Sequence, residues 1–165
     1  EINLALIGLA LDLLGPQAGD SVLDLFSGIG NFSLPLARRA GRVLGVEGVA
    51  ALTERARDNA AHNGLDNVEF VTADLERLGG DEDWLHERWD RVLLDPARAG
   101  AAAVLPYVAR MQPARIVYVS CHPATLARDV GMLTREHGYR LGYAGVVDMF
   151  PHTAHVESIV QLDHD

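Results

Sequence analysis

The sequence contains no lysine and a single cysteine, Cys121. One cysteine cannot form an internal disulfide, which argues against the small secreted folds that disulfides hold together. No run of the chain approaches the ~20 consecutive apolar residues that cross a bilayer, and no signal-peptide pattern is visible. These absences favour a cytoplasmic protein without a membrane anchor.

Positive charge is also scarce. All 14 basic residues are arginines, and the formal net charge is -9. A surface that holds nucleic acid over a broad area needs clustered basic residues, so we expect any contact with a polyanion to be local. Arg98 and Arg128 lie close to the motifs described below and are the candidates for such a contact. An arginine beside a carboxylate more often forms an ion pair, and that alternative stays open for both.

The length and composition indicate one domain over residues 1–165. Hydrophobic residues make up 48% of the 165 positions, which suits a single core of ordinary size. The chain begins at Glu1 rather than at a methionine and enters a helical pattern almost at once. We therefore expect this sequence to be a domain of a longer protein.

Apolar runs of strand length alternate with helical patterns along most of the chain. The predicted strands cover residues 21–26, 42–47, 68–72, 91–94 and 115–120. The predicted helices cover residues 2–14, 32–40, 49–63, 101–111 and 124–137, and residues 75–89 form a loop with a short helix. Two further strands, 140–149 and 156–162, follow without a helix between them. This order predicts an α/β fold with a mostly parallel, doubly wound sheet and an antiparallel C-terminal hairpin.

A glycine-rich loop follows the first predicted strand. Its sequence, VLDLFSGIG over residues 22–30, lets a ligand approach the backbone at the start of a helix. Gly28 and Gly30 are therefore candidate cofactor contacts. The dinucleotide fingerprint would need a glycine where this chain has Ser33, so the loop argues against NAD.

An acidic residue stands at or near the end of each of the first four predicted strands: Asp24, Glu47, Asp74 and Asp95. Glu47 has the spacing at which an acid accepts hydrogen bonds from ribose hydroxyls, and Asp74 can reach the adenine end of a nucleoside. Such a pocket offers no bases for a phosphate. It fits S-adenosylmethionine, a sulfonium cation without phosphate, better than NAD. The alternative for any one of these acids is a helix N-cap.

Cys121 follows a buried strand, at the strand end where open α/β sheets bind ligands. Pro123 suits the first turn of the next helix. The thiol is therefore expected beside backbone N–H groups that favour a thiolate. The alternative is a small buried apolar residue without a chemical role.

Five segments of the chain together resemble one known enzyme family. In order they are VLDLFSGIGNFSLPLA, VLGVEG, LLDPARAGA, SCHPATLARD and DMFPHTAHVE. They resemble the methyltransferase domain of the RNA uracil-5-methyltransferases, most closely of those that act on 23S ribosomal RNA. The resemblance implies a class I S-adenosylmethionine-dependent (Rossmann-like) fold, with Cys121 as nucleophile and Glu157 as base. The family's cofactor-contacting positions fall on Phe26, Asn31, Glu47, Asp74 and Asp95.

The chemistry of C5 methylation needs these residue types. C5 of uracil is a poor nucleophile until a thiolate adds to C6, and a base must afterwards remove the C5 proton. Cys121 and Glu157 can serve in these two roles, and no metal is called for. Asp95 is a second candidate for orienting the base or the cofactor methyl. A glutamate on a strand surface is the alternative for Glu157, and His152 and His155 receive no role.

Residues 95–98, DPAR, help to distinguish methylation of uracil C5 from methylation of cytosine C5 and adenine N6. RNA cytosine-5-methyltransferases carry an additional cysteine in this loop, and adenine N6-methyltransferases carry an aromatic residue. Cytosine methylation remains an alternative, as does a non-catalytic module that binds RNA or an adenosine nucleotide. Two departures from the family, Ser27 for a frequent Cys and His122 for the usual Asn, are expected to be tolerated.

The resemblance also implies partners. The substrate is expected to be RNA, with 23S ribosomal RNA first and transfer RNA as the alternative, and the protein is expected to be a monomer. Full-length family members have an N-terminal RNA-binding β-barrel, and many carry an iron–sulfur cluster. Neither lies within this sequence, so the acidic chain is expected to bind RNA only weakly by itself.

Overall fold

The structure is a computed structural model, and it describes residues 2–147 and 156–164. The helices are α1 (Ile2–Leu14), α2 (Ser33–Ala37), α3 (Ala50–His62), α4 (Leu105–Met111) and α5 (Pro123–Glu136), with a 3₁₀ turn at Asp83–His86. The strands are β1 (Ser21–Leu25), β2 (Arg42–Glu47), β3 (Val68–Thr72), β4 (Arg91–Leu94), β5 (Arg115–Ser120), β6 (Arg140–Val147) and β7 (Glu157–Asp163).

The seven strands form one sheet in the order β3-β2-β1-β4-β5-β7-β6. Strands β1 to β5 are parallel, and β7 runs antiparallel to both β5 and β6. The predicted α/β architecture with an antiparallel C-terminal hairpin is confirmed. The order adds that β7, and not β6, lies against the strand that leads to Cys121.

Two apolar layers enclose the sheet. Side chains of α1 and α2 pack on one face, and those of α4, α5 and the 3₁₀ turn pack on the other. The strands are apolar on both faces because both are covered, as expected for a parallel sheet. Fully buried residues such as Leu23, Leu93 and Ile116 each contribute about 1.5–3 kcal/mol to folding. The loops at the sheet edge therefore start from a rigid frame.

Several helices and strands are shorter in the structure than the sequence predicts. The helix predicted over 32–40 is confined to α2, and the one predicted over 101–111 begins four residues later, at the start of α4. Strand β1 ends at Leu25 because Phe26 has a left-handed backbone, with φ of 66°. Propensity alone missed these ends because tertiary contacts decide where each element stops.

The link between β6 and β7 is only partly described. The strand predicted over 140–149 is observed as Arg140–Val147. Residues 148–155, with His152 and His155, lie outside the described residues. None of the helices in the described ranges combines the length and the apolar character that a membrane crossing requires.

Candidate active site

Because β1 to β5 are parallel, the loops that follow them meet at one edge of the sheet. The chain order runs from β1 to β2 and β3 on one side, and from β4 to β5 on the other. Open α/β sheets bind ligands at such a reversal of strand order. The predicted cofactor and nucleophile positions all lie at the last residue of such a strand or in the loop that follows it.

The glycine-rich loop is held by backbone hydrogen bonds. The N–H groups of Phe26 and Ser27 both donate to the carbonyl of Val46, at 2.9 and 3.1 Å, and the Gly30 N–H donates to the Ser27 carbonyl at 2.9 Å. Gly28 has φ of 54°, and a methyl group built on it would meet no atom within 4 Å. Gly28 therefore presents open backbone at the candidate cofactor site.

Gly30 has a different local reason to be glycine. A Cβ at this position would overlap Cδ1 of Leu34 and lie 3.3 Å from the ring of Phe70. Its φ of 89° is also unfavourable for other residues. A side chain at position 30 would thus point into the protein. A ligand can therefore contact this residue only through its backbone.

Glu47 fastens the glycine-rich loop to the end of β2. Its Oε2 accepts the N–H of Gly28 and its Oε1 accepts the N–H of Val49, both at 3.0 Å. Each carboxylate oxygen has more than one lone pair, so acceptor capacity remains for ribose hydroxyls. Asp74 is exposed beyond β3, and its Oδ1 accepts the Glu76 N–H at 3.0 Å.

The predicted equivalence of the four acids is wrong for Asp24. This residue lies inside β1 and is fully buried, and its Oδ2 accepts the Ser33 hydroxyl at 2.5 Å. Burial raises the pKa of Asp24 to about 7, with smaller contributions from the charges of Asp95 and Glu47. Its Oδ1 has no hydrogen-bond partner among the residues that the structure describes. Asp24 therefore joins β1 to α2 beneath the loop instead of lining the site.

The helix N-cap interpretation is also wrong for these acids. The N-caps of α2, α3 and α4 are Phe32, Val49 and Val104, and none of the three makes a side-chain capping bond. The acids at the strand ends therefore do not cap these three helices.

The candidate nucleophile and the candidate base lie at the ends of two paired strands. The antiparallel ladder between β5 and β7 ends with Ser120 opposite Ser158. Cys121 is the next residue on one strand, and Glu157 is the preceding residue on the other. The two residues therefore continue the line of this last pair, one on each strand. Both side chains are half-buried, which leaves them accessible at the edge.

Asp95 lies between the glycine-rich loop and Glu157. Its N–H donates to the carbonyl of Leu25 at 3.3 Å, which places it where β1 and β4 end. Burial raises the pKa of Asp95 to about 7, and the negative charge of Glu157 adds to the effect. Burial also raises the pKa of Glu157. A carboxylate whose pKa is raised accepts a proton more readily, which suits a general base.

His122 caps the helix that follows the candidate nucleophile. Its Nδ1 accepts the N–H of Thr125 at 3.3 Å, and Pro123 is the first residue of α5. Asparagine, the usual family residue here, is also a strong N-cap. The structure thus gives the side chain at position 122 a role in local structure.

Asn31 and Ser27 differ in their exposure. The exposed amide of Asn31 exchanges hydrogen bonds with that of Asn3, at 3.2 and 3.3 Å, where α1 begins. The hydroxyl of Ser27 is buried and has no hydrogen-bond partner in the described ranges. The loop at Ser27 is therefore held by its backbone N–H and not by its hydroxyl.

Sequence reasoning missed a buried cluster next to this edge. Asp129 is fully buried, and it accepts hydrogen bonds from Tyr118 and from Arg128. Arg128 is therefore the partner of a carboxylate, as the ion-pair alternative anticipated, while Arg98 is exposed. The signal for the cluster was a tyrosine in the middle of an apolar strand, because a buried hydroxyl needs a partner.

No group of three or more His, Cys, Asp or Glu residues within 2–147 and 156–164 has the arrangement of a metal site. The described acids at the strand ends thus do not converge on a shared ion.

Known proteins with similar sequences are RNA methyltransferases. The family model described as tRNA (Uracil-5-)-methyltransferase matches residues 1–165. The 23S rRNA (uracil(1939)-C(5))-methyltransferase RlmD of Alkalilimnicola ehrlichii is 63% identical over 165 residues, which are 100% of this chain and 37% of that protein. RlmD of Xylella fastidiosa (strain Temecula1) is 55% identical over 162 residues, 98% of this chain and 37% of that protein. The chain thus spans 37% of the length of these curated relatives.

Solved structures agree with this assignment. The Pyrococcus abyssi tRNA (uracil-54, C5)-methyltransferase, in complex with S-adenosyl-L-homocysteine, superposes with a TM-score of 0.77 at 36% identity, over 94% of this chain and 37% of that one. TrmN from Thermus thermophilus shares the fold at 22% identity, with a TM-score of 0.75 over 97% of this chain and 48% of that one. The resemblance found in the five sequence segments is confirmed. This chain, matched over its whole length and built on the class I S-adenosylmethionine-dependent methyltransferase fold, belongs to the tRNA (uracil-5-)-methyltransferase family.

Proposed function

We propose that this chain is the catalytic domain of an enzyme that methylates C5 of a uridine in 23S ribosomal RNA, with S-adenosylmethionine as methyl donor. The observation that carries the proposal is the pairing of β5 with β7, which puts Cys121 and Glu157 at adjacent strand ends. Asp95 lies at the same edge. The names of the curated relatives support 23S ribosomal RNA as the substrate.

The residues at the edge fit S-adenosylmethionine. Gly28 offers open backbone, and the Glu47 carboxylate retains acceptor capacity for a ribose. When bound, the cofactor supplies an electrophilic methyl group on a sulfonium. The residues that would hold it are Phe26, Gly28, Gly30, Asn31, Glu47, Asp74 and Asp95. The cation matches the acidic character of this set, which contains no phosphate-binding base.

Cys121 and Glu157 divide the chemistry on the uracil between them. The Cys121 thiolate forms a bond to C6, and the electron pair of the C5–C6 double bond moves to C5 and O4. Once C5 carries the methyl group, the Glu157 carboxylate takes the C5 proton. The electron pair of that C–H bond restores the double bond and expels the thiolate. The raised pKa of Glu157 strengthens it as the proton acceptor in this step.

An RNA stem-loop that carries 5-fluorouridine tests this mechanism, because fluorine at C5 cannot be removed as a proton. Incubated with S-adenosylmethionine, the complete product of the gene should form a methylated covalent adduct that survives a denaturing gel. Mass spectrometry should locate the adduct on Cys121. The matched control is Cys121→Ala, which should bind cofactor but form no adduct. Cofactor binding without an adduct in the wild-type protein would contradict the proposal.

We also propose that residues 1–165 act as one domain of a larger, monomeric, cytoplasmic protein whose other parts provide most of the RNA affinity. The net charge of -9 supports this division, as does the 37% share of each relative that the chain matches. Fluorescence anisotropy with a labelled stem-loop tests it. Sub-micromolar affinity of this chain alone at physiological salt would contradict the division.

A further inference from the structure

Two loops of the candidate active site follow different strands. Residues 95–101 follow β4 and begin with Asp95, whereas Cys121 follows β5 and leads into α5. The chemistry proposed above requires the two loops to keep a fixed mutual position. Asp129, on α5, is fully buried between them. Burying a carboxylate costs folding free energy unless the carboxylate is fully hydrogen-bonded. The groups that donate to Asp129 must therefore stay in contact with it.

The partners of Asp129 come from three elements. Its Oδ2 accepts the hydroxyl of Tyr118 in β5 at 2.6 Å and the N–H of Ala101 in the loop after β4 at 2.8 Å. Its Oδ1 accepts Nε and Nη2 of Arg128 on α5, each at 2.8 Å. One carboxylate therefore joins the strand that leads to Cys121 to the loop that begins with Asp95.

Two further hydrogen bonds hold the same loop to α5. Arg128 Nη2 donates to the carbonyl of Ala99 at 2.9 Å. The Thr125 hydroxyl lies 3.1 Å from two carbonyl oxygens, that of Arg98 in this loop and that of His122 at the start of α5, and shares its one proton between them. These contacts and those of Asp129 together form what we term the Asp129 clamp: the side chains of Tyr118, Thr125, Arg128 and Asp129 with the backbone of residues 98–101.

The backbone at Gly100 is shaped to this clamp. Its φ is 82°, and a Cβ there would lie 2.6 Å from Nη2 of Arg128 and 2.7 Å from Oδ2 of Asp129. The loop therefore lies directly on the charged groups, with no room for a side chain between them.

We infer that the Asp129 clamp positions the loop of Asp95 against Cys121, which makes Asp129 a positioning residue for the proposed methylation. The inference rests on the proposed function for its catalytic consequence. Asp129 itself touches neither substrate nor cofactor. Loss of the clamp would let the two loops move independently, and a misplacement of ~1 Å in an active site can lower the rate on the order of 100-fold.

The decisive variant is Asp129→Asn in the complete gene product. The amide of Asn keeps one acceptor oxygen, but its NH₂ group replaces the second. That NH₂ group would face N–H or O–H groups that are themselves donors, so some of these donors would lose their acceptor. We expect the rate of adduct formation on Cys121 and kcat to fall about 10–100-fold. The KM for S-adenosylmethionine should rise by a smaller factor than kcat falls, because the proposed cofactor contacts at Gly28 and Glu47 lie outside the clamped loop.

Thr125→Val provides a second variant that keeps the buried charge and the shape of the side chain. It removes the hydroxyl that contacts the Arg98 and His122 carbonyls and should lower kcat about 3–10-fold; Thr125→Ser should restore it. The matched control is Thr134→Val on the same helix, since the Thr134 hydroxyl donates to the Val130 carbonyl within α5 at 2.9 Å. That variant should leave kcat unchanged.

Hydrogen exchange separates the clamp from the methylation itself. In Asp129→Asn and Thr125→Val, amides of residues 98–104 and 121–125 should exchange faster together. Faster exchange in both loops supports the clamp even if the wild-type protein forms no adduct, in which case only the proposed function fails. Unchanged exchange in both variants overturns the clamp.

Kinetics separate positioning from two other roles. If Asp129→Asn lowers the melting temperature but keeps wild-type kcat well below it, the cluster is only structural and the inference is overturned. A higher KM for RNA with unchanged kcat would also overturn it, because Arg128 would then act on the RNA.

Discussion

The two sides of the active-site edge are held in different ways. On the glycine-loop side, residues 26–31 are held mainly by backbone-to-backbone bonds, such as those to the Val46 carbonyl, and the Glu47 carboxylate adds a side-chain acceptor. On the cysteine side, residues 95–101 and 121–123 are fixed mainly by the side chains of Asp129, Thr125 and His122. Backbone bonds survive most substitutions, whereas side-chain bonds do not. The cysteine side should therefore be the more sensitive of the two to mutation.

The largest effect is expected on the cysteine side, from Glu157→Gln. An amide cannot accept the C5 proton, so kcat should fall about 10²–10⁴-fold. Cys121 remains able to add to C6, so the adduct with ordinary uridine should accumulate on a denaturing gel. Cofactor affinity, measured by calorimetry, should stay at the wild-type value. A variant with normal turnover would show that another group is the base.

The matching change on the glycine-loop side is Glu47→Ala. It removes the acceptor of two backbone N–H groups and the proposed ribose contact. Charged hydrogen bonds are worth about 1.5–3 kcal/mol each, so cofactor affinity should fall at least ~10-fold by calorimetry. Glu47→Gln, which keeps one acceptor, should lose less. Unchanged cofactor affinity in Glu47→Ala would contradict the proposed ribose contact of Glu47.

Asp24 should give a pH-dependent effect on stability. Its pKa of about 7 in the folded protein lies above the ordinary value of 3.8, so between these values the folded state holds a proton that the unfolded chain has released. Stability should therefore fall as pH rises from about 4 to 7. The side chain of Asp24→Asn does not titrate. The free energy of unfolding in urea, variant minus wild type, should therefore be about 1–3 kcal/mol larger at pH 8 than at pH 4. An equal difference at both pH values would contradict the raised pKa.

A smaller effect is expected from the N-cap on the cysteine side. Replacing His122 by Ala removes the acceptor of the Thr125 N–H, which should cost about 1 kcal/mol in thermal or urea unfolding. His122→Asn supplies another capping side chain and should match or exceed wild type. Equal losses in both variants would indicate that the imidazole acts outside the cap.

The smallest effect is expected from Ser27→Cys on the glycine-loop side. The buried Ser27 hydroxyl has no partner in the described part of the chain, and the N–H of this residue makes the structural bond. The free energy of unfolding and the cofactor affinity should both change by less than about 0.5 kcal/mol. A large loss would show that the Ser27 side chain itself helps to fix this side.

Local patterns were sufficient for much of the fold. The alternation of apolar runs and helical patterns predicted every strand from β1 to β5, and Pro123 marked the start of α5. These features depend on residues close in sequence and on the spacing of apolar residues, both of which can be read from the sequence. The role of Glu157 came from the family resemblance, because one glutamate at the start of an apolar strand carries no signal of its own.

The sequence by itself determined the strand, glycine-loop and helix order, the strand end that presents Cys121, and the family. Only the tertiary structure decided that β7 lies between β5 and β6, that Asp24 is buried beneath the loop, and that Asp129 joins two loops. Strand pairing, burial and a carboxylate's choice of partners depend on residues far apart in sequence. Such contacts form only when the whole sheet is assembled, because each is stable only in the presence of the others.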